Sequence, residues 1–191
     1  FTNHRKPELT VVKQLDPETD PGTVNFTING TEFTNDDDGF GDGEGIDPIY
    51  AALVGNTVSE SAHGDTNLAD YDATWECTNG ESGTGTSIPA FGLKYGDKVT
   101  CTFTNHRLPQ VKVIKELEPN DDPGTFDLFI NDVKKADGVG HGGETGFQNV
   151  PAGPVKVSEG GHAPTNLSSY YNDLTCDWEN SELTYIPEGT N

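Results

Sequence analysis

The chain has no methionine and only three cysteines, two tryptophans and 11 basic residues. Each shortage excludes something. Three cysteines are too few for a disulfide-built scaffold, and no CxxC spacing points to zinc. Eleven lysines and arginines against 32 acidic side chains leave a formal net charge of −21, so no phosphate backbone would be drawn to it. Nucleic acid is excluded as a partner. No apolar run is long enough to cross a bilayer, and neither an initiator methionine nor a signal peptide is present. The expectation is a window from a longer protein, with targeting and anchoring parts elsewhere. No amphipathic helix of convincing length is visible either.

Turn formers are abundant: 23 glycines and 12 prolines bound short runs rich in Thr, Val, Phe and Tyr, an all-β signature. Only 31% of the 191 residues are hydrophobic, which suits small β modules better than one deep core. The acidity is of the kind found on extracellular or salt-exposed proteins, and a divalent-cation requirement produces the same excess.

A repeat sets the architecture. "FTNHRKPELTVVKQLDPETDPGTVNFTING" from Phe1 matches "FTNHRLPQVKVIKELEPNDDPGTFDLFIND" from Phe103, an offset of 102, and "VSESAHGDTNLADY" from Val58 matches "VSEGGHAPTNLSSY" from Val157, an offset of 99. Cys77 falls on Cys176. Module 1 is assigned to residues 8–107 and module 2 to residues 108–191, joined at the Pro-containing "HRLPQ". Module 1 closes with "YGDKVTCTFTNHR", whereas module 2 ends without an equivalent of "VTCTFTN", and residues 1–7 open on the last part of that strand. These first residues are therefore expected to close a preceding module or a neighbouring subunit. The cysteines agree: Cys77 finds a partner in Cys101, and Cys176 is left to pair outside the chain. Paired cysteines at matching positions favour an oxidising compartment.

Strand alternation sends every second side chain to one face. In "LTVVKQL", Lys13 shares parity with Leu9, Val11 and Leu15, so it points where the apolar side chains point. In module 2 the same test selects Lys115 over Lys112. Asn105 shares parity with Val99, Cys101 and Phe103. Glu60 goes with Val58, and Glu159 with Val155 and Val157. Each module thus offers an inward Lys, an inward Glu and a slot for an inward Asn. Buried charges are costly unless paired or neutralised. One reading is a buried ion pair, or side chains at strand ends that reach water. Another starts from desolvation, which lowers a lysine pKa and raises a glutamate pKa. A neutral amine is a nucleophile. Against an Asn carboxamide, with Glu shuttling protons, it forms a Lys–Asn isopeptide bond and releases ammonia.

A first-strand "VxK", a "VSE" before a loop and a closing "TN" resemble the prealbumin-like, collagen-adhesin B-type repeats of bacterial surface proteins and pilins. The resemblance covers both modules and implies two tandem Ig-like or prealbumin-like β-sandwiches, the second lacking its closing strand. It also implies autocatalytic crosslinks. Lys13 would be the nucleophile, Glu60 the proton shuttle and Asn105 the electrophile; Lys115 and Glu159 would act in module 2 with an externally supplied Asn. Asn3, at the matching repeat position, would serve a preceding module or a neighbour. The cysteine pair and the acidic glycine-rich loop lie outside that motif.

That loop, "TNDDDGFGDGEGID", has calcium-loop spacing, with Asp36, Asp38 and Asp42 as its candidates, but it lacks an acid at the first position, where Thr34 sits. A solvated hairpin loop is the preferred reading. His63 and His162 match in the repeat, as do His4 and His106, without three converging metal ligands. Sequons begin at Asn25, Asn29 and Asn166. Trp75, Trp178, Tyr170 and Tyr171 fit a core better than a sugar-binding face.

The expected function is a non-enzymatic structural subunit of an extracellular filament, pilus or surface stalk, at the cell surface, partnered by copies of itself or adjacent repeats and needing no cofactor. The alternative is a ligand-binding adhesin module that uses calcium. No turnover catalytic set stands apart from the crosslinking residues.

Overall fold

The computed structural model describes residues 1–177 and is built from strands, with two single 3-10 turns. It divides into two compact units, Phe1–Leu108 and 109–191. Leu108 ends the first unit, its N–H donating to Asp70 O at 2.9 Å.

In the first unit, β1 (Glu8–Asp16), β4 (Gly45–Tyr50), β6 (Tyr71–Cys77), β7 (Ser82–Thr84) and β9 (Lys98–Arg107) form one sheet in the order β4-β1-β9-β6-β7. The facing sheet has the order β3-β2-β5-β8, from β2 (Thr23–Ile28), β3 (Thr31–Phe33), β5 (Asn56–His63) and β8 (Ser87–Phe91). The burial of β1 and β2 alternates residue by residue, as a half-buried strand requires. Leu9, Val11, Phe26, Val58, Cys101 and Phe103 meet in the space between the sheets. Each large apolar side chain so buried contributes about 1.5–3 kcal/mol.

First and last strands lie side by side. β1 pairs with β9 in parallel, in unbroken register from Glu8 opposite Lys98 to Asp16 opposite His106. A parallel pair needs a long crossover; here every other strand of the module supplies it. Cys77 and Cys101 are register partners across β6 and β9 and form a disulfide.

The second unit carries β10 (Gln110–Val111), β11 (Phe126–Ile130), β12 (Val133–Val139), β13 (Gln148–Asn149) and β14 (Val157–Gly161). They form a β10-β13 pair and a three-stranded β12-β11-β14 sheet, which repeat β1-β4 and β3-β2-β5. Among the described residues there is no counterpart of β6 or β9. A small core remains, with Leu117, Phe126, Leu128, Ile130 and Val150 buried. Phe1–Lys6 form no strand and are exposed.

Candidate functional site: a buried Lys–Glu pair beside an unpartnered asparagine

Lys13 sits on β1, opposite Phe103 of β9, and Glu60 sits on β5, opposite Phe26 of β2. The two phenylalanine rings pack on each other at 5.6 Å. The charged side chains thus meet between the sheets inside an aromatic wall. Lys13 Nζ donates to Glu60 Oε2 at 2.9 Å, and both side chains are 0% exposed. Burial pushes the Lys13 amine below the ordinary lysine value, and the neighbouring Glu60 carboxylate only partly opposes that shift.

Position 13 is also fixed through its backbone. Lys13 N–H donates to Glu44 O at 2.7 Å, Gly43 N–H donates to Lys13 O at 2.9 Å, and Leu15 N–H donates to Asp42 Oδ1 at 2.7 Å. Asp42, one of the three calcium candidates, therefore has a structural partner in β1. Among the described residues, the set of metal-type side chains brought together is Asp127, Asp137 and His162, and Asp36, Asp38 and Asp42 are not gathered in this way. Lys134 Nζ already occupies that set, 2.6 Å from both Asp127 and Asp137, and holds the Asp127 carboxyl well below the usual carboxylate range.

Asn105 stands on β9 between Leu15 of β1 and Ala73 of β6. Lys13 and Leu15 share a face, so Asn105 is the diagonal neighbour of Lys13, within the sweep of a four-carbon stem. Asn105 is 1% exposed. Its Oδ1 and Nδ2 have no hydrogen-bond partner, and neither has Glu60 Oε1. A buried polar atom left unpaired costs about 1–3 kcal/mol, so three such atoms on Glu60 and Asn105 are an unusual concentration. The set contains an amine depressed by burial, a carboxyl able to carry protons, and a carboxamide with nothing else to bond.

In module 2, Lys115 Nζ donates to Glu159 Oε2 at 2.6 Å, with side chains 14% and 18% exposed. The amine lies over the Phe126 ring at 4.1 Å from its centroid, and Glu159 Oε1 is buried and unpartnered. Asn3 lies in the exposed segment before β1 and is not brought to either pair. Cys176 is a free, exposed cysteine. Trp75 belongs to the core and Tyr171 is exposed; Trp178 lies outside the described residues. His63 contacts Asp37 O, His106 contacts Asp16, and His4 stacks on Tyr95.

Sequence reasoning missed a bracket around the end of β9. Tyr71 OH donates to Asp20 Oδ1 at 2.6 Å, Arg107 Nε pairs with Asp20 Oδ2 at 2.9 Å, and the guanidinium lies 4.8 Å from the Tyr71 ring centre. Gly22 leaves room for the tyrosine hydroxyl, where a Cβ would collide with it. The repeat held the signal: Asp122, Gly124 and Tyr170 reproduce the arrangement, with Tyr170 OH donating to Asp122 Oδ1 at 2.8 Å. Asn56, fully buried and bonded to Ala52 and Asn29, is a further inward polar residue, whose signal is its shared parity with Val58 on β5.

Residues 17–107 match the family model described as a prealbumin-like fold domain, of SpaA type. Over those residues module 1 is similar to a prealbumin-like domain. The match takes in Glu60 and Asn105 and begins just after the strand that carries Lys13. No curated protein matches the chain. Among the described residues, no helix is long and apolar enough to cross a membrane.

Proposed function

We propose that this chain is a structural segment of an extracellular filament or surface stalk, in which prealbumin-like modules lock themselves with Lys–Asn isopeptide bonds. The observation that carries this reading is the buried Lys13–Glu60 pair with Asn105 unpartnered beside it. In the proposed step, Lys13 passes a proton to Glu60 and its Nζ attacks Asn105 Cγ. Glu60 relays a second amine proton to Nδ2, the Cγ–Nδ2 bond breaks, and ammonia leaves. One C–N bond forms as another breaks, with no redox change. Packing supplies the effective concentration, and the reaction turns over once.

The mechanical role follows from the parallel β1–β9 pairing. Tension enters at one strand and leaves at the other, so it shears their ladder. A bond between positions 13 and 105 carries that load past everything between them. Lys115 and Glu159 would do the same in module 2 once a closing strand supplies an asparagine. The SpaA-type match supports a surface-protein setting, and the Cys77–Cys101 disulfide supports an oxidising one.

Intact mass under reducing conditions tests the chemistry. The chain is expected to be lighter than its sequence by one ammonia, and tandem spectra should join Lys13 to Asn105. Glu60→Ala should restore the full mass. A wild-type mass equal to the reduced sequence mass would sink the crosslink.

A further inference from the structure

The lysine of module 1 stands where its strand runs past a neighbour. β4 pairs with β1 only as far as Gly45 opposite Val12, so Lys13, Gln14 and Leu15 continue beyond its end. Backbone groups of this stretch that do not bond to β9 need other partners. The loop residues Asp42, Gly43 and Glu44 supply them. Lys13 N–H donates to Glu44 O and Gly43 N–H donates to Lys13 O, as in a ladder, but the third bond, from Leu15 N–H, goes to a side chain, Asp42 Oδ1 at 2.7 Å. Leu15 is buried and is the register partner of Asn105, so an N–H released there is costly. One carboxylate thus fastens β1 at the point where the crosslink would close.

Module 2 keeps this clamp and changes its chemistry. Lys115 N–H donates to Gly143 O at 2.8 Å, Gly142 N–H donates to Lys115 O at 2.7 Å, and Leu117 N–H donates to His141 Nδ1 at 3.0 Å. His141 stands where the repeat places Asp42, at the same offset of 99 that relates Glu60 to Glu159. The two copies share an acceptor atom and not a charge, since an Nδ1 that takes an N–H belongs to a neutral ring. An acceptor that survives a change of residue type points to the geometry of the lysine strand as the thing maintained. Resting on the crosslinking reading above, we propose that Asp42 is a positioning residue for the Lys13–Asn105 bond: its carboxylate extends the ladder past β4 and holds Lys13 and Leu15 against β9, so that Nζ meets Cγ of the diagonal Asn105. The bonds made and broken are those given above, and Asp42 exchanges no proton in them. Its charge acts on the amine as well. Glu60 by contact and Asp42 from the loop side both raise the Lys13 pKa against the burial that lowers it.

The test follows ammonia loss in the full chain made by cell-free synthesis at neutral pH, quenched in denaturant at intervals, reduced, and read by intact mass. Asp42→Ala should slow the loss about tenfold or more, the size of one charge-assisted hydrogen bond. Asp42→Asn, which keeps an oxygen acceptor, should restore at least the wild-type rate. A second readout uses chains that cannot crosslink. With Asn105→Ala throughout, NMR titration of the Lys13 side chain should give a lower pKa in the Asp42→Asn chain than with Asp42 present, because one of the two opposing charges is gone. That comparison stands whether or not the alanine chain folds. Equal rates in the three chains, an asparagine variant as slow as the alanine one, or an unmoved Lys13 titration would each overturn the assignment. The two claims separate in the same spectra. A wild-type chain that never loses ammonia sinks the crosslink itself, whereas loss at one rate in all three chains removes Asp42 and leaves the crosslink standing.

Discussion

Lys13 shows how far a residue's surroundings can reassign its chemistry. In water a lysine is a hydrated cation; here burial makes the charged form expensive and lowers its pKa. In an Asn105→Ala chain, which keeps the amine free, this has a definite sign. The native state binds fewer protons than the unfolded one between the depressed value and the ordinary value of 10.5, so stability should rise with pH across that window. Urea midpoints at stepped alkaline pH check it; a flat profile would argue for a Lys13 that titrates normally. Removing the counter-charge is harsher. With Asn105→Ala in the background, Glu60→Ala should cost a further 3–5 kcal/mol or about that, because it strands a buried ammonium. Tyr71 works in the opposite direction. Burial and its bond to Asp20 push its hydroxyl from 10.0 up to about 12, so its contribution is complete below pH 10 and fades as pH climbs toward 12. Tyr71→Phe should make that alkaline limb shallower.

At the scale of strands, the period-two pattern made the inward Lys, Glu and Asn legible, because a strand has two faces and apolar neighbours name the buried one. Strand order was less accessible. That β1 lies beside β9, in parallel and in that register, depends on a crossover spanning the module, and no local pattern encodes it. The Asp20–Tyr71–Arg107 bracket stayed hidden for the same reason: its members lie in a loop and on two strands, and each is unremarkable by itself. Module 2 shows the limit from the other side. Its first strand has much the same alternation as β1, yet only Gln110–Val111 forms a ladder, since a strand exists through its partners. The disulfide ties β9 to β6, not to β1. Cys77→Ser with Cys101→Ser should therefore cost about 2–4 kcal/mol of stability while leaving the ammonia loss unchanged, as chemical denaturation and mass spectrometry would show.

For the molecule as a whole, the prediction concerns force. Pulled between its ends, wild-type module 1 should show no unfolding step, because the load runs through the bond between positions 13 and 105. An Asn105→Ala chain under reducing conditions should release the enclosed segment in one step of roughly 300 Å, the contour of the chain between those positions. A wild-type step of that length in single-molecule traces would show that tension still travels through the fold. The acidity bears on the same scale. A net charge of −21 makes neighbouring copies repel at low ionic strength, a repulsion that added salt screens.

The parallel pairing of β1 with β9 has one more consequence, for direction. An antiparallel pair would bring the chain in and out at the same end, and successive modules would hang as side branches. Parallel strands bring it in at Glu8 and release it at Arg107, at opposite ends of the ladder. The module thus has a head and a tail, with the chain's entry and exit separated by about one strand length, roughly 30 Å for nine residues.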